Sequence, residues 1–421
     1  MTLSKGATVK HGPIAVSSYG DLDEARRYRV LTVFGTRPEA IKLAPVIHAL
    51  GRQAHVDVRV AVTGQHREML DQVLKIFDVR PHHDLNVMEP NQTLSELTSR
   101  LLMALDPVVK AEAPDVVLVQ GDTTTAFAAA LVAFYHKIPV GHVEAGLRTR
   151  ERYAPFPEEI NRRNISTLAQ WHFAPTETNR ATLMREGVDC RDILVTGNTV
   201  IDALRFTLRN RQPADNGVVP RGRRLLLVTA HRRETFGAPF EAVCRAIRRI
   251  ADRYGDIEVR YPVHLNPLVR APVERILAGH PRIHLLEPLD YVSFSHLLAS
   301  AHLVLTDSGG VQEEGPALGK PILVMRDVTE RPEAVAAGVV ELVGTDEERI
   351  VTRVSRLLDD PAAYAAMARA ISPYGDGQAS RRIAAFLRAR LMETALEPME
   401  DGKDMTMSSE EMLDPDVMRI G

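Results

Sequence analysis

Three carboxylates in the first half of the sequence each follow a short apolar run that predicts a strand. Asp122 stands in Gly-Asp-Thr-Thr-Thr, Glu144 in His-Val-Glu-Ala-Gly and Glu158 in Pro-Phe-Pro-Glu-Glu. Side chains that follow parallel strands gather at one edge of the sheet, where carboxylates can act as general acids and bases. Each one alone could equally cap a helix or lie on a solvated face. Only their joint placement favours catalysis.

Cationic side chains are placed to hold an anion near these carboxylates. A strand that ends at Phe34 leads into Gly-Thr-Arg-Pro and a predicted helix, which brings Arg37 and Lys42 to a positive helix end. His231 follows the first strand of the second half and is flanked by Arg232. Such groups bind phosphate oxygens, and an imidazole can also donate a proton. The alternatives are an exposed pair of cations and, for His231, an interdomain hydrogen bond.

A second glycine turn follows a strand of the second half and opens a helix with Ser308, Gly309 and Gly310. Its glycines allow a phosphate to approach the backbone amides, and Glu314 one turn later can accept both ribose hydroxyls. The pattern is not G-x-G-x-x-G and lacks the acidic residue of a dinucleotide fingerprint, which disfavours NAD. We therefore expect no cofactor. The alternative to a phosphate-binding turn is a plain tight turn.

Short apolar runs rich in Val, Ile and Leu alternate with longer amphipathic stretches along the chain. This alternation is typical of parallel strands that helices cover on both faces. A polar stretch at residues 209–223 separates a first set of strands, within 30–196, from a second set, within 225–342. The sequence predicts an α/β fold with two doubly wound domains and a ligand between the carboxyl edges of their sheets.

The composition excludes several classes of function. The 421 residues are 45% apolar and 25% charged, and the formal charge of −3 gives no broad field for nucleic acid or anionic lipid. Cys190 and Cys244 lie outside any metal-ligand pattern, so we expect two buried, reduced thiols and no metal. The N-terminus lacks an apolar secretory segment and no run is long enough to span a bilayer, which predicts a cytoplasmic protein without a membrane partner.

At its motifs the sequence closely resembles the non-hydrolysing UDP-N-acetylglucosamine 2-epimerases of bacteria, over about residues 29–390. Any one motif is weak, but the ordered set is strong. The matching segments are 33–42, 121–125, 142–149, 197–202, 231–234, 307–314 and 329–333.

The resemblance implies a glycosyltransferase-B-like fold, in which two Rossmann-like domains face each other across a ligand cleft, and a homodimer. The polar chain ends predict disorder. The predicted organisation is a disordered extension at 1–28, a first domain at 29–200 completed by a helix at about 376–391, a UDP-binding domain at 201–375 and a disordered acidic tail at 392–421.

The resemblance also assigns site residues. Phe294 would flank the uracil, and Leu289 stands where some family members have Gln. A second molecule of substrate would activate the enzyme from an allosteric site matched by Gln65, His66, Glu158, Arg232 and His264. Asp122, Glu144, Glu158 and His231 are the implied catalytic set. The implied substrate contacts are Arg37, Lys42, Asp122, Glu144, His231, Leu289, Phe294, Ser308, Gly309, Gly310, Glu314 and Arg326.

The implied reaction is reversible inversion at C2 of UDP-N-acetylglucosamine to give UDP-N-acetylmannosamine. UDP is eliminated to leave a glycal and then adds back, and the product supplies N-acetylmannosamine for cell-surface polysaccharide. Three alternatives stay open: a retaining glycosyltransferase of the same fold, a hydrolysing epimerase, and a non-catalytic nucleotide-sugar sensor.

Overall fold

A computed structural model describes residues 26–64, 67–89, 91–149, 151–213, 222–232, 235–369 and 372–396. Gln65 and His66, two of the predicted allosteric residues, lie outside this part of the chain. So do most of the predicted N-terminal extension and the acidic tail beyond residue 396.

Seven parallel strands form the first sheet, in the order β3-β2-β1-β4-β5-β6-β7. Alternate residues of its central strand lie in different apolar cores, because the sheet is buried on both faces. The strands are β1 (Tyr28–Phe34), β2 (Val56–Val62), β3 (His83–Asp84), β4 (Val116–Gln120), β5 (Val140–Val143), β6 (Trp171–Ala174) and β7 (Ile193–Val195).

Six parallel strands form the second sheet, in the order β10-β9-β8-β11-β12-β13. Both orders are those of Rossmann-like domains, so the predicted α/β fold with two doubly wound domains is confirmed. The strands are β8 (Arg224–Thr229), β9 (Ile257–Pro262), β10 (Ile283–Leu286), β11 (Leu303–Thr306), β12 (Ile322–Val324) and β13 (Val340–Leu342).

Helices connect the strands and cover the sheets. Those of the first half are α1 (Arg37–Leu50), α2 (Arg67–Ile76), α3 (Leu94–Glu112), α4 (Thr124–Tyr135), α5 (Glu158–Leu168), α6 (Glu177–Arg185) and α7 (Thr199–Asn210). Those that follow are α8 (Ala238–Arg253), α9 (Pro267–Leu277), α10 (Tyr291–Ser300), α11 (Gly309–Ala317), α12 (Pro332–Ala336), α13 (Glu347–Asp359), α14 (Pro361–Met367) and α15 (Ala379–Leu396).

One apolar core joins the two halves of the molecule. Val30 and Phe34 of β1 belong to the same buried cluster as Leu225 and Leu227 of β8. The helix α7 packs against α1 of the first domain and also against α10 and α11 of the second. The domain bounds stay predictions, because α7 belongs to both domains by its contacts.

The C-terminal helix α15 packs against α1, so the chain crosses back to the first domain. It continues to Leu396, into the segment that was predicted to be disordered from residue 392, and Arg390 pairs with Glu393 across one turn at 3.1 Å. The two-residue strand β3 was missed because it has no apolar run. The prediction of two buried thiols was wrong for Cys190, which is exposed on a short turn, whereas Cys244 is buried.

In the described ranges, the structure contains no helix whose length and apolar character would let it cross a membrane. The cytoplasmic location stays a prediction. Among the same residues, no group of three or more His, Cys, Asp or Glu side chains is arranged to hold a metal ion.

Candidate functional site

The strand order of each sheet reverses between two neighbouring strands, which are β1 and β4 in the first domain and β8 and β11 in the second. Loops that leave such neighbours turn to opposite faces of the sheet and open a crevice between them. Arg37 follows β1, Asp122 follows β4, His231 follows β8 and Ser308 follows β11. The strand order therefore accounts for the meeting of segments that are far apart in sequence.

A cavity of about 480 Å³ lies between the two domains, beside the segments that follow β1, β8 and β11. The predicted carboxylates Asp122, Glu144 and Glu158 are not among the residues that line it. Three lining residues that the sequence analysis did not single out are Tyr291, Glu313 and Arg331. A Cβ at Gly309 would lie 2.7 Å from a guanidinium nitrogen of Arg331, so any other residue there would displace this guanidinium. The predicted substrate-contact and allosteric residues that line the cavity are Arg37, Lys42, His231, His264, Leu289, Phe294, Ser308, Gly310 and Glu314.

Lys42 links this cavity to Glu144, one of the three predicted carboxylates. Its ammonium forms an ion pair with Glu144, which follows β5. Burial alone would lower the pKa of Lys42, but the negative charges of Glu144 and Glu313 outweigh burial and raise it. A charged ammonium is thus held between carboxylates from both domains, at the wall of the cleft.

Glu144 has an unusual backbone conformation. Its φ of 66° lies in the left-handed region, which few residues other than glycine adopt. Strain of this kind costs about 1–3 kcal/mol and is found most often at functional sites. The conformation aims the side chain toward Lys42 and Gln120, whose amide donates to Glu144 Oε2 over 2.6 Å.

Asp122 forms an ion pair with Arg162 of α5. The alternative in which Asp122 caps α4 is wrong, since Thr123 is the N-cap and its Oγ1 accepts the backbone N–H of Ala126 over 3.1 Å. The hydroxyl of Thr123 donates in turn to Glu39 Oε1 over 2.6 Å. The carboxylate of Asp122 is therefore not used in forming the helix.

Glu158 is the first residue of α5, one turn before Arg162. Its Oε2 is buried and has no hydrogen-bond partner among the described residues. Its neighbour Glu159 has the structural function in this loop, because it accepts the backbone N–H of Thr149 over 3.0 Å and pairs with Arg163. A buried polar atom without a partner is costly, which is consistent with a ligand-binding function for Glu158.

His231 is held by a carboxylate of its own domain. Asp307 accepts the backbone N–H groups of His231 and Arg232 over 2.6 and 2.8 Å and lies 3.2 Å from His231 Nδ1. Burial would raise the pKa of Asp307, but these hydrogen bonds and the charge of His231 lower it. The alternative in which His231 only forms an interdomain hydrogen bond is thus not what the structure shows. The ring of His231 stacks on His264 at 5.7 Å.

Glu314 is buried and accepts a hydrogen bond from the hydroxyl of Tyr291 over 2.9 Å. Burial and the nearby charge of Glu313 raise the pKa of Glu314 to about 7, even though the hydrogen bond and Lys42 act in the opposite direction. Among the described residues, no donor other than the Tyr291 hydroxyl is bonded to Glu314, so Oε2 and the second lone pair of Oε1 can accept from a diol.

Arg331, which is partly buried, and the buried Glu313 form an ion pair at the cleft. Arg331 Nε donates to Glu313 Oε1 over 2.7 Å, and Glu313 Oε2 accepts from Asn198 of the first domain over 3.2 Å. Arg326, the predicted substrate contact, does not line this cavity. It pairs with Glu330 and lines a second interdomain cavity of about 980 Å³. The structure places the guanidinium of Arg331 at the cleft instead.

The predicted allosteric residues are separated in the structure. His264 lines the cleft beside His231, whereas Arg232 lines the second cavity and donates to the backbone oxygen of Asp307 over 3.0 Å. Glu158 begins α5, the helix whose Arg162 pairs with Asp122, and it lines neither cavity. These three residues are therefore not brought into one cavity.

Comparison with known proteins identifies the family. The model of the UDP-N-acetylglucosamine 2-epimerase family matches residues 48–388. The chain belongs to this family. It is 55% identical over 369 residues to a UDP-N-acetylglucosamine 2-epimerase of Escherichia coli O157:H7, which covers 86% of this chain and 98% of that protein.

Solved structures of the epimerase family share the fold. The enzyme of Neisseria meningitidis bound to UDP-GlcNAc is 47% identical with a TM-score of 0.79, and covers 86% of this chain and 100% of its own. The enzyme of Methanocaldococcus jannaschii in complex with UDP-GlcNAc and UDP is 34% identical with a TM-score of 0.70, over 86% and 99% of the two chains. The glycosyltransferase-B-like arrangement predicted from the family resemblance is thereby supported.

Several residues that contact the predicted ones carry little or no signal in the sequence. Arg331 lies in the matching segment 329–333, so a signal was present, but the resemblance assigned a substrate contact only to Arg326, outside that segment. Glu313 and Asp307 flank predicted residues within another recognised motif. Gln120 and Tyr291 carry no motif signal of their own, because their functions depend on tertiary contacts to Glu144 and Glu314.

Proposed function

We propose that this protein interconverts UDP-N-acetylglucosamine and UDP-N-acetylmannosamine by inverting C2 of the sugar. The observation that carries this proposal is the position of Lys42, which lines the cleft and is paired with Glu144. A group suited to a diphosphate thus contacts a carboxylate suited to a proton transfer. The epimerases of the family that bind UDP-GlcNAc in solved structures have the same fold.

The second domain supplies the uridine site in this proposal. Phe294 offers a ring face for the uracil, and Leu289 lies beside it without a side-chain hydrogen-bonding group, so backbone groups would contact the base. Glu314 accepts the ribose hydroxyls. The ligands are UDP-N-acetylglucosamine and UDP.

The diphosphate is bound from both domains. Arg37 and Lys42 come from α1, and His231 comes from the loop after β8. The helix α11 begins at Gly309, and its first backbone N–H groups and positive dipole end favour an anion. Arg331 adds a second guanidinium at the same wall. These charges make UDP a better leaving group, because they stabilise the negative charge that develops on it.

The reaction requires help at C2, because its hydrogen is not next to a carbonyl carbon. When the C1–O bond breaks, its electron pair leaves with the β-phosphate of UDP, and C1 becomes electron-poor. A carboxylate then takes the C2 proton and the C–H electrons form the C1=C2 bond of a glycal. UDP adds back to C1 while a proton is delivered to the opposite face of C2. Asp122, Glu144 and Glu158 share these two transfers, and His231 serves the phosphate.

One experiment separates this function from its alternatives. The purified protein is incubated with UDP-N-acetylglucosamine alone in D2O, and the sugar is followed by NMR. The proposal predicts deuterium at C2 and a stable mixture of two UDP-sugars. Accumulation of free sugar and UDP would indicate a hydrolysing epimerase, a requirement for an acceptor would indicate a glycosyltransferase, and unchanged substrate would indicate a sensor.

Substrate activation is proposed to act through Arg232 and His264 together with Gln65, His66 and Glu158. The stacking of His264 on His231 supports this, since a ligand beside His264 would move a phosphate-binding group. Initial rates against substrate concentration are expected to be sigmoidal, and His264→Ala should make them hyperbolic. A hyperbolic curve for the unmodified protein would contradict the proposal.

The homodimer is proposed to form through α3 and α4, which pack against each other. Met103 of α3 and Phe134 and Tyr135 of α4 are exposed by 78%, 56% and 68%, and the two rings lie 6.5 Å apart. Exposed apolar patches of this kind are typical of protein contacts. Sedimentation should show a dimer that Phe134→Ser with Tyr135→Ser dissociates. Met184→Ser, which changes an exposed Met of α6, should leave it intact. A protein that sediments as a monomer would refute this assignment.

A further inference from the structure

Gln120 is the last residue of β4 and is only 3% exposed. Its amide Nε2 donates over 2.6 Å to Oε2 of Glu144, the residue that follows the neighbouring strand β5. Burial at the end of a central strand does not by itself require an amide, because an apolar side chain can pack there at little cost. The hydrogen bond to Glu144 is therefore the feature of Gln120 that needs an explanation.

The two donors of Glu144 reach the same oxygen. Lys42 Nζ also binds Oε2, and no donor among the described residues reaches Oε1. One oxygen of the carboxylate is thus anchored twice while the other is left for a further partner. A carboxylate that removes a proton from carbon needs this arrangement, since the reacting oxygen must be both oriented and unoccupied.

We propose that Gln120 is a positioning residue, which holds the Glu144 carboxylate with Oε1 toward C2 of the sugar. This inference rests on the proposed function, because it assumes that Glu144 transfers a proton. Gln120 acts only through Glu144 and is outside the residues that line the cleft.

The second donor cannot perform this task alone. Lys42 lines the cleft, and a diphosphate bound there would attract its ammonium away from Glu144. Gln120 is neutral, so the anion has little effect on it and its hydrogen bond is kept in the complex. The left-handed backbone of Glu144 makes such a second anchor more necessary, since strained conformations persist only where the surroundings enforce them.

Three charged groups act on Glu144 or on its partners. Lys42 faces it from α1, and Arg331 acts on it from the loop before α12. Glu313 of α11 interacts with both of these cations. Gln120 is therefore the one group in this set whose removal changes no net charge.

The test compares Gln120→Met, which keeps size and burial but loses the donor, with Gln120→His, which keeps an N–H donor. For Gln120→Met we expect kcat to fall about 10- to 100-fold, with KM and the Kd for UDP within about threefold of the unmodified protein. A loss of kcat without a loss of binding is expected of a group that orients the carboxylate and does not itself hold the substrate. Gln120→His should recover most of kcat.

Two controls keep this test decisive. Thr207→Val removes a buried hydroxyl that has no partner among the described residues, and it should leave kcat unchanged. Glu144→Gln should be nearly inactive. If it is inactive while Gln120→Met keeps kcat, the positioning inference is overturned and the proposed function stands. If Glu144→Gln keeps its turnover, the assumed catalytic assignment fails and the inference fails with it.

Discussion

Glu144 and Asp122 of the first domain and Glu314 of the second lie in opposite electrostatic surroundings. In the first domain, Glu144 is paired with Lys42 and Asp122 with Arg162. In the second domain, the buried Glu314 is bonded to the neutral hydroxyl of Tyr291, and its pKa is raised to about 7. The same strand order thus builds one edge where carboxylates contact cations and another where a carboxyl group contacts an uncharged donor.

This difference divides the work of the site. In the first domain, Lys42 and Arg162 orient the carboxylates that they pair with, whereas a carboxyl group in a dry pocket is suited to hydrogen bonding with a diol. Two similar domains therefore differ in function because of the side chains at their strand ends, not because of their folds.

The largest expected effect is on proton transfer at the first domain. Glu144→Gln and Asp122→Asn should each lower the rate of C2 deuterium exchange by at least about 100-fold, as expected for loss of a general acid or base. UDP affinity should change little, because the uridine site lies in the other domain. Glu274→Gln, which changes an exposed carboxylate of α9, is the control and should be fully active. Near-normal exchange in both variants would refute this division of labour.

The next comparison separates Arg331 from Arg326. Arg331→Gln should weaken UDP binding about 30-fold by calorimetry, the cost of one charge-assisted hydrogen bond, whereas Arg326→Gln should stay within about threefold. The first variant also leaves Glu313 buried without its cation, so the double variant with Glu313→Gln serves to restore folding. A larger loss for Arg326→Gln would support the sequence-based assignment over the one from the structure.

The raised pKa of Glu314 predicts a dependence of stability on pH. Between about 4.5 and about 7 the folded protein retains a proton that the unfolded chain has released. Stability should therefore fall as pH rises through this window and stay lower above it. Glu314→Gln should gain about 2 kcal/mol relative to the unmodified protein between pH 5 and pH 8, measured by urea unfolding. An equal difference at both pH values would contradict the burial of an ionisable group there.

The smallest expected effect is on binding of the uracil. Phe294→Leu should weaken UDP binding about fivefold, the value of one aromatic stacking contact, with kcat unchanged. If kcat falls while UDP affinity is kept, Phe294 contacts the reacting sugar and not the uracil.

Much of this organisation follows from the sequence. Short apolar runs predicted the strands that form both sheets apart from β3, and the strand ends brought Arg37, His231 and Ser308 to one cleft. The sequence could not show which of Arg326 and Arg331 lines the cleft. Both lie between β12 and α12, where the strand order does not fix the direction of a side chain. The φ of Glu144 is also a property of the folded chain, since no local sequence pattern requires it.

The central claim is that the bond between C1 and the oxygen of UDP breaks while the second domain binds UDP. A carboxylate of the first domain takes the C2 proton in the same elimination. This claim is tested most directly with UDP-N-acetylglucosamine that carries ¹⁸O in the bridge between C1 and phosphorus, incubated with the enzyme in D2O. The account predicts that ¹⁸O moves into non-bridging positions of the β-phosphate and that deuterium enters C2. Deuterium at C2 with the label still confined to the bridge would contradict it.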